Sequence, residues 1–306
     1  MATNDPLLTY IDRLIASSRR NEYRIAHQLS VIIRPLFTEE RNPVGVVARR
    51  IIEYYVNSRF SQNRDPQFSG EDGLDRFLYK FYDIFFDLAR YIHFNDPRQK
   101  LLIDLIMELR KLVPGPLQIW KENFLTYDNV PINIRALYRC WADTRVFVPY
   151  DNLDSNAGQN NTSRLTLLLQ RCNRYTYFSA FIAYCIRDGV LEVDNWLLDL
   201  DNPPFFYPAF AIVSCINNQS SHPLIRHSEV LVAANYINVI GRSVHASLIR
   251  EYWRDRKGVE KGKKIWHEWT TRFRGVIDGL TMYPELVHAH TEALQIMETL
   301  DRLPLR

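Results

Sequence analysis

A recurring start signal for α-helices constrains this chain more than any other feature. Asp or Asn followed directly by proline occurs at Asp5-Pro6, Asn42-Pro43 and Asp96-Pro97, and an apolar stripe follows each pair. Asp and Asn are good N-cap residues, and proline suits the first helical position because its missing N–H has no helical partner there. Only 11 of the 306 residues are glycine, which favours few tight turns. The chain is therefore predicted to be helical over most of its length.

Apolar residues follow these signals at spacings of three and four, as expected for helices that bury one face. Examples are Leu7, Ile11 and Leu14; Phe77, Phe81, Phe85 and Leu88; Leu101, Leu105 and Leu109; and Leu165, Leu168, Leu169 and Cys172. No fixed-period repeat is visible, so a regular solenoid is not favoured. We predict an all-α fold, a compact array of about ten to twelve antiparallel helices without a regular repeat.

Proline, glycine and polar runs mark the predicted helix boundaries. Ser228 is predicted to cap a long helix, and the basic, glycine-containing segment 256–263 is predicted to be a turn after it. Pro284 is predicted to begin the last helix. The polar segment 151–163 has the strongest loop composition in the chain. The chain is interpreted as one helical domain, 1–306, and two halves that meet at this loop are an open alternative.

Charge and cysteine content limit the partners and the compartment. The chain has 38 basic and 35 acidic residues, so its formal net charge of +3 gives no electrostatic footprint for nucleic acid. No apolar run is long enough to span a membrane, and no secretory leader is visible. The four cysteines are spread widely and form no CxxC pair. We expect an intracellular, cytoplasmic protein that contacts neither nucleic acid nor membrane.

Candidate metal ligands are limited to one helical turn. His288 and Glu292 lie four residues apart on one predicted helix face, which would allow both to bind a metal ion. An exposed ion pair is the favoured interpretation of the same spacing. The chain has no HExxH motif, no GxSxG elbow and no phosphate-binding glycine loop. We therefore expect no metal, no cofactor and no catalytic residues, and enzymatic activity is left open.

A long, aromatic-rich helical chain also invites comparison with class I terpene cyclases, whose carboxylates hold magnesium against a diphosphate. Asp83 and Asp87 lie one turn apart on an aromatic helix, and Ser243, Ser247 and Glu251 have the spacing of the second metal motif of that family. Both motifs are incomplete, because Asp83 is not followed by a second acid and Ser243 stands where Asn or Asp is required. The cyclase is kept as a minor alternative.

Three tryptophans and an arginine near the C-terminus form the candidate ligand-binding group. Trp253, Trp266 and Trp269 lie close together in sequence, and Arg272 follows them. These side chains would suit a box that stacks on a ligand. The favoured interpretation is a buried aromatic cluster that closes the C-terminal helices, since Trp266, Trp269 and Phe273 lie near one predicted helix face.

Three stretches, which extend from about residue 75 to the last helix, share a pattern with known proteins. They are the aromatic helix running into Asp96-Pro97-Arg98-Gln99 and ending at Leu112-Val113-Pro114; Ala233-Ala234-Asn235-Tyr236-Ile237 with Gly241; and Trp266-His267-Glu268-Trp269 with Arg272-Phe273, Ala293 and Met297. In these stretches the chain resembles a fungal family of uncharacterised helical proteins, a domain of unknown function. The resemblance implies a fungal source and an all-helical fold, and it implies no catalytic residues.

The leading functional hypothesis is a non-enzymatic protein that acts by binding another protein, whose identity the sequence does not name. It rests on a full helical scaffold without a recognisable active site. The alternative is a helical enzyme or a small-molecule binder with an aromatic-lined cavity. A cavity of roughly several hundred cubic ångströms with convergent polar groups would favour the alternative, and a solid core would favour protein binding.

Overall fold

The computed structural model describes residues 5–17, 24–38, 43–60, 73–112, 161–191, 207–217, 222–251, 256–280 and 282–303. These residues form α-helices and a few turns, and no strand occurs among them. The all-α fold predicted from the sequence is confirmed for this part of the chain. The antiparallel arrangement of the helices stays a prediction.

Ten α-helices and one 3₁₀ helix occur in the described residues. They are α1 (Pro6–Ser17), α2 (Arg24–Ile33), the 3₁₀ helix (Arg34–Phe37), α3 (Pro43–Phe60), α4 (Gly73–Ala89), α5 (Arg98–Lys111), α6 (Asn161–Arg187), α7 (Tyr207–Asn217), α8 (Pro223–Glu251), α9 (Arg256–Arg274) and α10 (Pro284–Asp301). None of them is both long and apolar enough to cross a lipid bilayer, as far as the described residues go.

Carboxylates stabilise the first turns of two helices, where the sequence placed start signals. Asp5 Oδ1 accepts a hydrogen bond from the backbone N–H of Leu7 at 2.9 Å, at the start of α1. Asp96 Oδ1 accepts one from the N–H of Arg98, also at 2.9 Å, at the start of α5. Each contact satisfies an N–H that has no partner within its helix. The last helix begins at Pro284, as predicted.

One predicted start is wrong. The helix α8 begins at Pro223, so Ser228 lies inside it and does not cap it. The Ser228 hydroxyl donates a hydrogen bond of 2.8 Å to the carbonyl oxygen of Ile225, one turn earlier. Proline at the first helical position is the signal that the prediction overlooked.

The predicted turn at 256–263 is also wrong, because α9 begins at Arg256. Gly262 serves close packing in place of a turn. A Cβ atom at this position would lie 3.1 Å from the carbonyl oxygen of Leu248 and 3.2 Å from the Cα of Ile249, both in α8. Only glycine lets the two helix backbones come this near.

Contacts divide the chain into two units, residues 1–146 and 147–306. The boundary lies outside the described residues, as do residues 151–160 of the predicted loop 151–163. The helix α6 begins at Asn161, so the last three residues of that loop are helical. The single-domain interpretation stays a prediction.

In the first unit, α1 packs on α2 and α4, α2 packs on α3 and α4, and α3 packs on α5. The core of this unit is rich in aromatic rings, namely Tyr55, Phe77, Phe81, Tyr82, Phe85 and Phe86, all of them buried. Neighbouring rings meet edge to face, tilted or stacked, with centroids 4.9 to 5.9 Å apart. Such arrangements add to the free energy gained by burying the rings.

In the second unit, α8 is the central helix. It packs on α6, α7, α9 and α10, and α9 also packs on α7 and α10. The middle of α8 is buried from Ser228 to Ile237. The helix is kinked at Ile240, whose backbone angles (φ −133°, ψ 16°) are not helical.

Candidate functional site

The aromatic cluster in the C-terminal helices is built around Trp266. Its side chain is fully buried, and its Nε1 donates a hydrogen bond of 3.2 Å to the carbonyl oxygen of Met297 in α10. The ring centroids of Trp269 and His245 lie 6.1 and 5.0 Å from that of Trp266. A buried indole with a satisfied N–H agrees with the packing role predicted for Trp266. Trp269 is half-buried, and Trp253 lies outside the described residues.

Arg272 lies on the exposed side of α9. Its guanidinium forms an ion pair of 2.7 Å with Glu268 and donates a hydrogen bond of 3.1 Å to Asn217 at the end of α7. Exposed pairs of this kind contribute little to stability. Arg272 thus connects α9 to the end of α7 at the surface and is expected to add little to stability.

His288 and Glu292 form the exposed pair that the sequence favoured. His288 Nε2 lies 3.4 Å from Glu292 Oε1, and the two side chains are 76% and 53% exposed. Among the described residues, no group of three or more His, Cys, Asp or Glu side chains is arranged to hold a metal ion. The neighbouring His290 is buried, and its Nε2 donates a hydrogen bond of 2.8 Å to the carbonyl oxygen of Phe273.

Nearby side chains bind both carboxylates of the first cyclase-like motif. Lys80 lies 3.2 Å from Asp83, and Arg90 lies 2.5 Å from Asp87. The Tyr10 hydroxyl of α1 also donates a hydrogen bond of 2.9 Å to Asp87. Burial and the Asp87 carboxylate raise the pKa of Tyr10 well above its ordinary value, so the phenol stays a proton donor. Asp87 thus joins α1 to α4.

The N-terminal three turns of α6 carry an apolar surface that the sequence analysis missed. Leu165, Leu167 and Leu169 are 51%, 42% and 45% exposed. Leu165 and Leu169 lie one turn apart on one side of the helix, and we call this pair the α6 leucine surface; Leu167 lies two residues from each and faces a different side. Leu168, which lies between Leu167 and Leu169, and Cys172, three residues after Leu169, are buried against Ile225 and Leu224 of α8. The prediction placed Leu165 and Leu169 on the same buried stripe as Leu168, and that prediction is wrong.

The helix α6 is also cationic. Its sequence contains four arginines and no acidic residue. Arg164, Leu167, Arg171 and Arg174 recur at spacings of three and four, so positive charge flanks Leu167 on one side of the helix. The fourth arginine, Arg187, is paired with Asp188 at 2.7 Å at the other end of the helix. The exposed turns of α6 therefore combine aliphatic side chains with positive charge.

A second candidate site is an open groove between α8 and α10. It has a volume of about 480 Å³, within the range of small-molecule sites. Its lining is mostly polar and contains no aromatic side chain: Asn238, Arg242, Glu292, Gln295, Ile296, Thr299 and Leu300. The groove is therefore not the aromatic-lined cavity that the small-molecule alternative predicts.

Comparison of the chain with known protein families, with characterised proteins and with solved structures finds no match. The resemblance to a fungal helical family therefore stays a prediction.

Proposed function

We propose that this protein is a non-enzymatic binding protein whose α6 leucine surface receives an acidic, amphipathic segment of a protein partner. The observation that carries the proposal is the exposure of Leu165, Leu167 and Leu169 on a helix that has arginines and no acidic residue. The proposal includes neither nucleic acid nor membrane as a partner.

The exposed leucines supply the affinity in this proposal. Each is about half exposed, so covering it with an apolar partner contributes about 1 kcal/mol. Leu165 and Leu169 lie one turn apart, which matches the spacing of apolar anchors on an amphipathic helix. A partner helix laid along α6 would cover both.

The arginines supply selectivity and orientation. Arg164, Arg171 and Arg174 lie on the side of α6 that carries Leu167, and their positive charge would attract an acidic partner segment to the exposed turns of this helix. Charges at the edge of an interface mainly raise the association rate and exclude partners of like charge. A basic segment of equal hydrophobicity should therefore bind poorly.

A cytoplasmic location and a fungal source belong to the proposal as well. Cys172 and Cys215 are free cysteines and are buried, which agrees with a reducing compartment. Burial raises the pKa of the Cys215 thiol to about 12, so this thiol stays protonated and unreactive.

The test is a fluorescence anisotropy titration with two labelled synthetic peptides. One is a helix-forming peptide with leucines at helical spacing and glutamates elsewhere, and the other has lysines in place of the glutamates. We expect saturable binding of the glutamate peptide alone. The double variant Leu165→Ser/Leu169→Ser should bind it roughly thirtyfold more weakly, since about 2 kcal/mol of burial is lost.

Val31→Ser is the matched control, because Val31 is 43% exposed and lies on α2, in the other unit. It should leave the affinity unchanged. Equal affinity for the two peptides would contradict the proposal. So would an equal loss of affinity in the double variant and in Val31→Ser. So would binding to anionic lipid vesicles that the double variant abolishes, or a dimer of the chain that the double variant dissociates.

A further inference from the structure

We infer that the groove between α8 and α10 binds a small zwitterion with an aliphatic body, the chemical class of aliphatic α-amino acids and short peptides. The groove is formed by helices other than α6, so this inference is independent of the α6 leucine surface. It rests on the charges, the neutral polar groups and the apolar lining that meet in the groove.

Opposite charges line the groove without neutralising each other. Arg242 of α8 makes no hydrogen bond or ion pair within the described residues. Within the part of the chain that the structure describes, Glu292 of α10 is paired only with the exposed His288, at a distance of 3.4 Å. A ligand carboxylate would match the guanidinium of Arg242, and a ligand ammonium would match the carboxylate of Glu292.

Neutral groups beside these charges add hydrogen-bonding capacity. The Thr299 hydroxyl donates its proton to the Gln295 carbonyl oxygen at 2.7 Å, which leaves its own oxygen able to accept. Asn238 donates through Nδ2 to the Ala289 carbonyl oxygen at 3.1 Å, whereas its buried Oδ1 has no partner within the described residues. A buried acceptor without a donor is costly, and an N–H group of a ligand beside Asn238 would supply that donor.

Aliphatic side chains complete the lining. Ile296 is half-buried and Leu300 is buried, and both belong to α10. An aliphatic ligand body would cover them and gain free energy from apolar contact. A purely inorganic ion would gain nothing there.

Backbone geometry sets the spacing of α8 and α10 beside the groove. A Cβ on Gly241 would lie 3.3 Å from the Cγ2 atoms of both Ile237 and Ile296, so glycine permits the close approach of the two helices. The kink of α8 at Ile240 lies between Asn238 and Arg242. Helix kinks have specific local causes, and this one changes the direction of α8 between two residues that line the groove.

The test is isothermal titration calorimetry of the full chain with L-leucine, Leu-Leu and Leu-Leu-Leu. The best binder is then measured again as its N-acetyl and its C-terminal amide derivatives. We expect saturable binding of at least one probe, weakened roughly tenfold by removal of either charge. The double variant Leu165→Ser/Leu169→Ser should bind the probe normally, which separates this site from the α6 leucine surface.

Two variants assign the charges. Arg242→Gln should bind the free acid and the C-terminal amide with equal affinity. Glu292→Gln should bind the free amine and its N-acetyl derivative with equal affinity. Both side chains are exposed, so both variants are expected to fold. Absence of binding by all three probes, or unchanged affinity in Arg242→Gln, would overturn the inference.

Discussion

The indole Nε1 of Trp266 in α9 donates a hydrogen bond to the backbone carbonyl oxygen of Met297 in α10, 3.2 Å away. The two residues belong to consecutive helices, and both side chains are fully buried. Trp266 therefore holds α9 against α10 through a large apolar surface and one directional contact.

Truncation of this indole should be among the most destabilising single changes in the second unit. Trp266→Ala is expected to cost about 3–5 kcal/mol of unfolding free energy, because it removes a large buried ring and leaves a cavity. Trp269→Ala is the internal comparison and should cost clearly less, since Trp269 is half-buried. Urea unfolding followed by circular dichroism measures both. Equal and small losses would show that the cluster is not structural.

Glu229 should make stability depend on pH. Its side chain is 4% exposed, and burial raises its pKa to about 7 from an ordinary value of 4.5. The folded chain then holds this proton more tightly than the unfolded chain. The stability from this group is therefore complete below about pH 4.5, falls as the pH rises to about 7, and is constant above that.

Glu229→Gln cannot ionise, so it isolates this effect. The difference in unfolding free energy between this variant and the unmodified chain should shift in favour of the variant by at most about 3 kcal/mol as the pH rises from 4.5 to 7.5. Thermal unfolding of both proteins at several pH values measures the gain. A stability difference that is the same at pH 4.5 and pH 7.5 would show that Glu229 does not titrate in this window.

Gly262 should not tolerate a side chain. Alanine normally stabilises a helix by about 1 kcal/mol relative to glycine. At Gly262 the added Cβ would press on the backbone of α8, so Gly262→Ala should destabilise the protein by about 1–3 kcal/mol. Gly45→Ala in α3 is the matched control, because no atom lies within 4 Å of its Cβ position. A gain in melting temperature for Gly262→Ala would contradict the close packing of α8 and α9.

The two carboxylates of the cyclase-like motif should differ in their effect on stability. Asp87→Asn weakens the contacts to Tyr10 and to the nearly buried Arg90, and it should cost about 1–3 kcal/mol. Asp83→Asn removes only a half-exposed pair with Lys80 and should cost less than about 1 kcal/mol. Chemical unfolding of both variants provides the measurement. Equal costs would show that Asp87 does not join α1 to α4.

Local signals in the sequence predicted much of the fold. The wrong start of α8 came from an overlooked local signal, Pro223, and the other errors come from contacts between distant residues. Asp5 and Asp96 accept hydrogen bonds from backbone N–H groups two residues later. Because these contacts are local, the neighbouring sequence alone predicts the starts of α1 and α5. The local pattern around Gly262 predicts a turn, because the role of this glycine depends on α8, which a local pattern does not contain.

The candidate sites were harder to predict than the helices. Leu165 and Leu168 fit one apolar stripe equally well, and only the position of α8 determines that Leu168 is buried and Leu165 exposed. Arg242 and Glu292 come together because α8 packs on α10. Trp266 was correctly predicted to be buried, since an aromatic residue at helical spacing is usually part of a core.

Leucine methyl NMR of the full chain during titration with the glutamate peptide tests the central proposal most directly. Assignment of each methyl signal by single substitution shows which leucines meet the peptide. The proposal predicts the largest chemical-shift changes at Leu165 and Leu169, with Leu303 unaffected although it is 47% exposed. No change at the α6 leucine surface on saturation with peptide, or larger changes at Leu303, would contradict it.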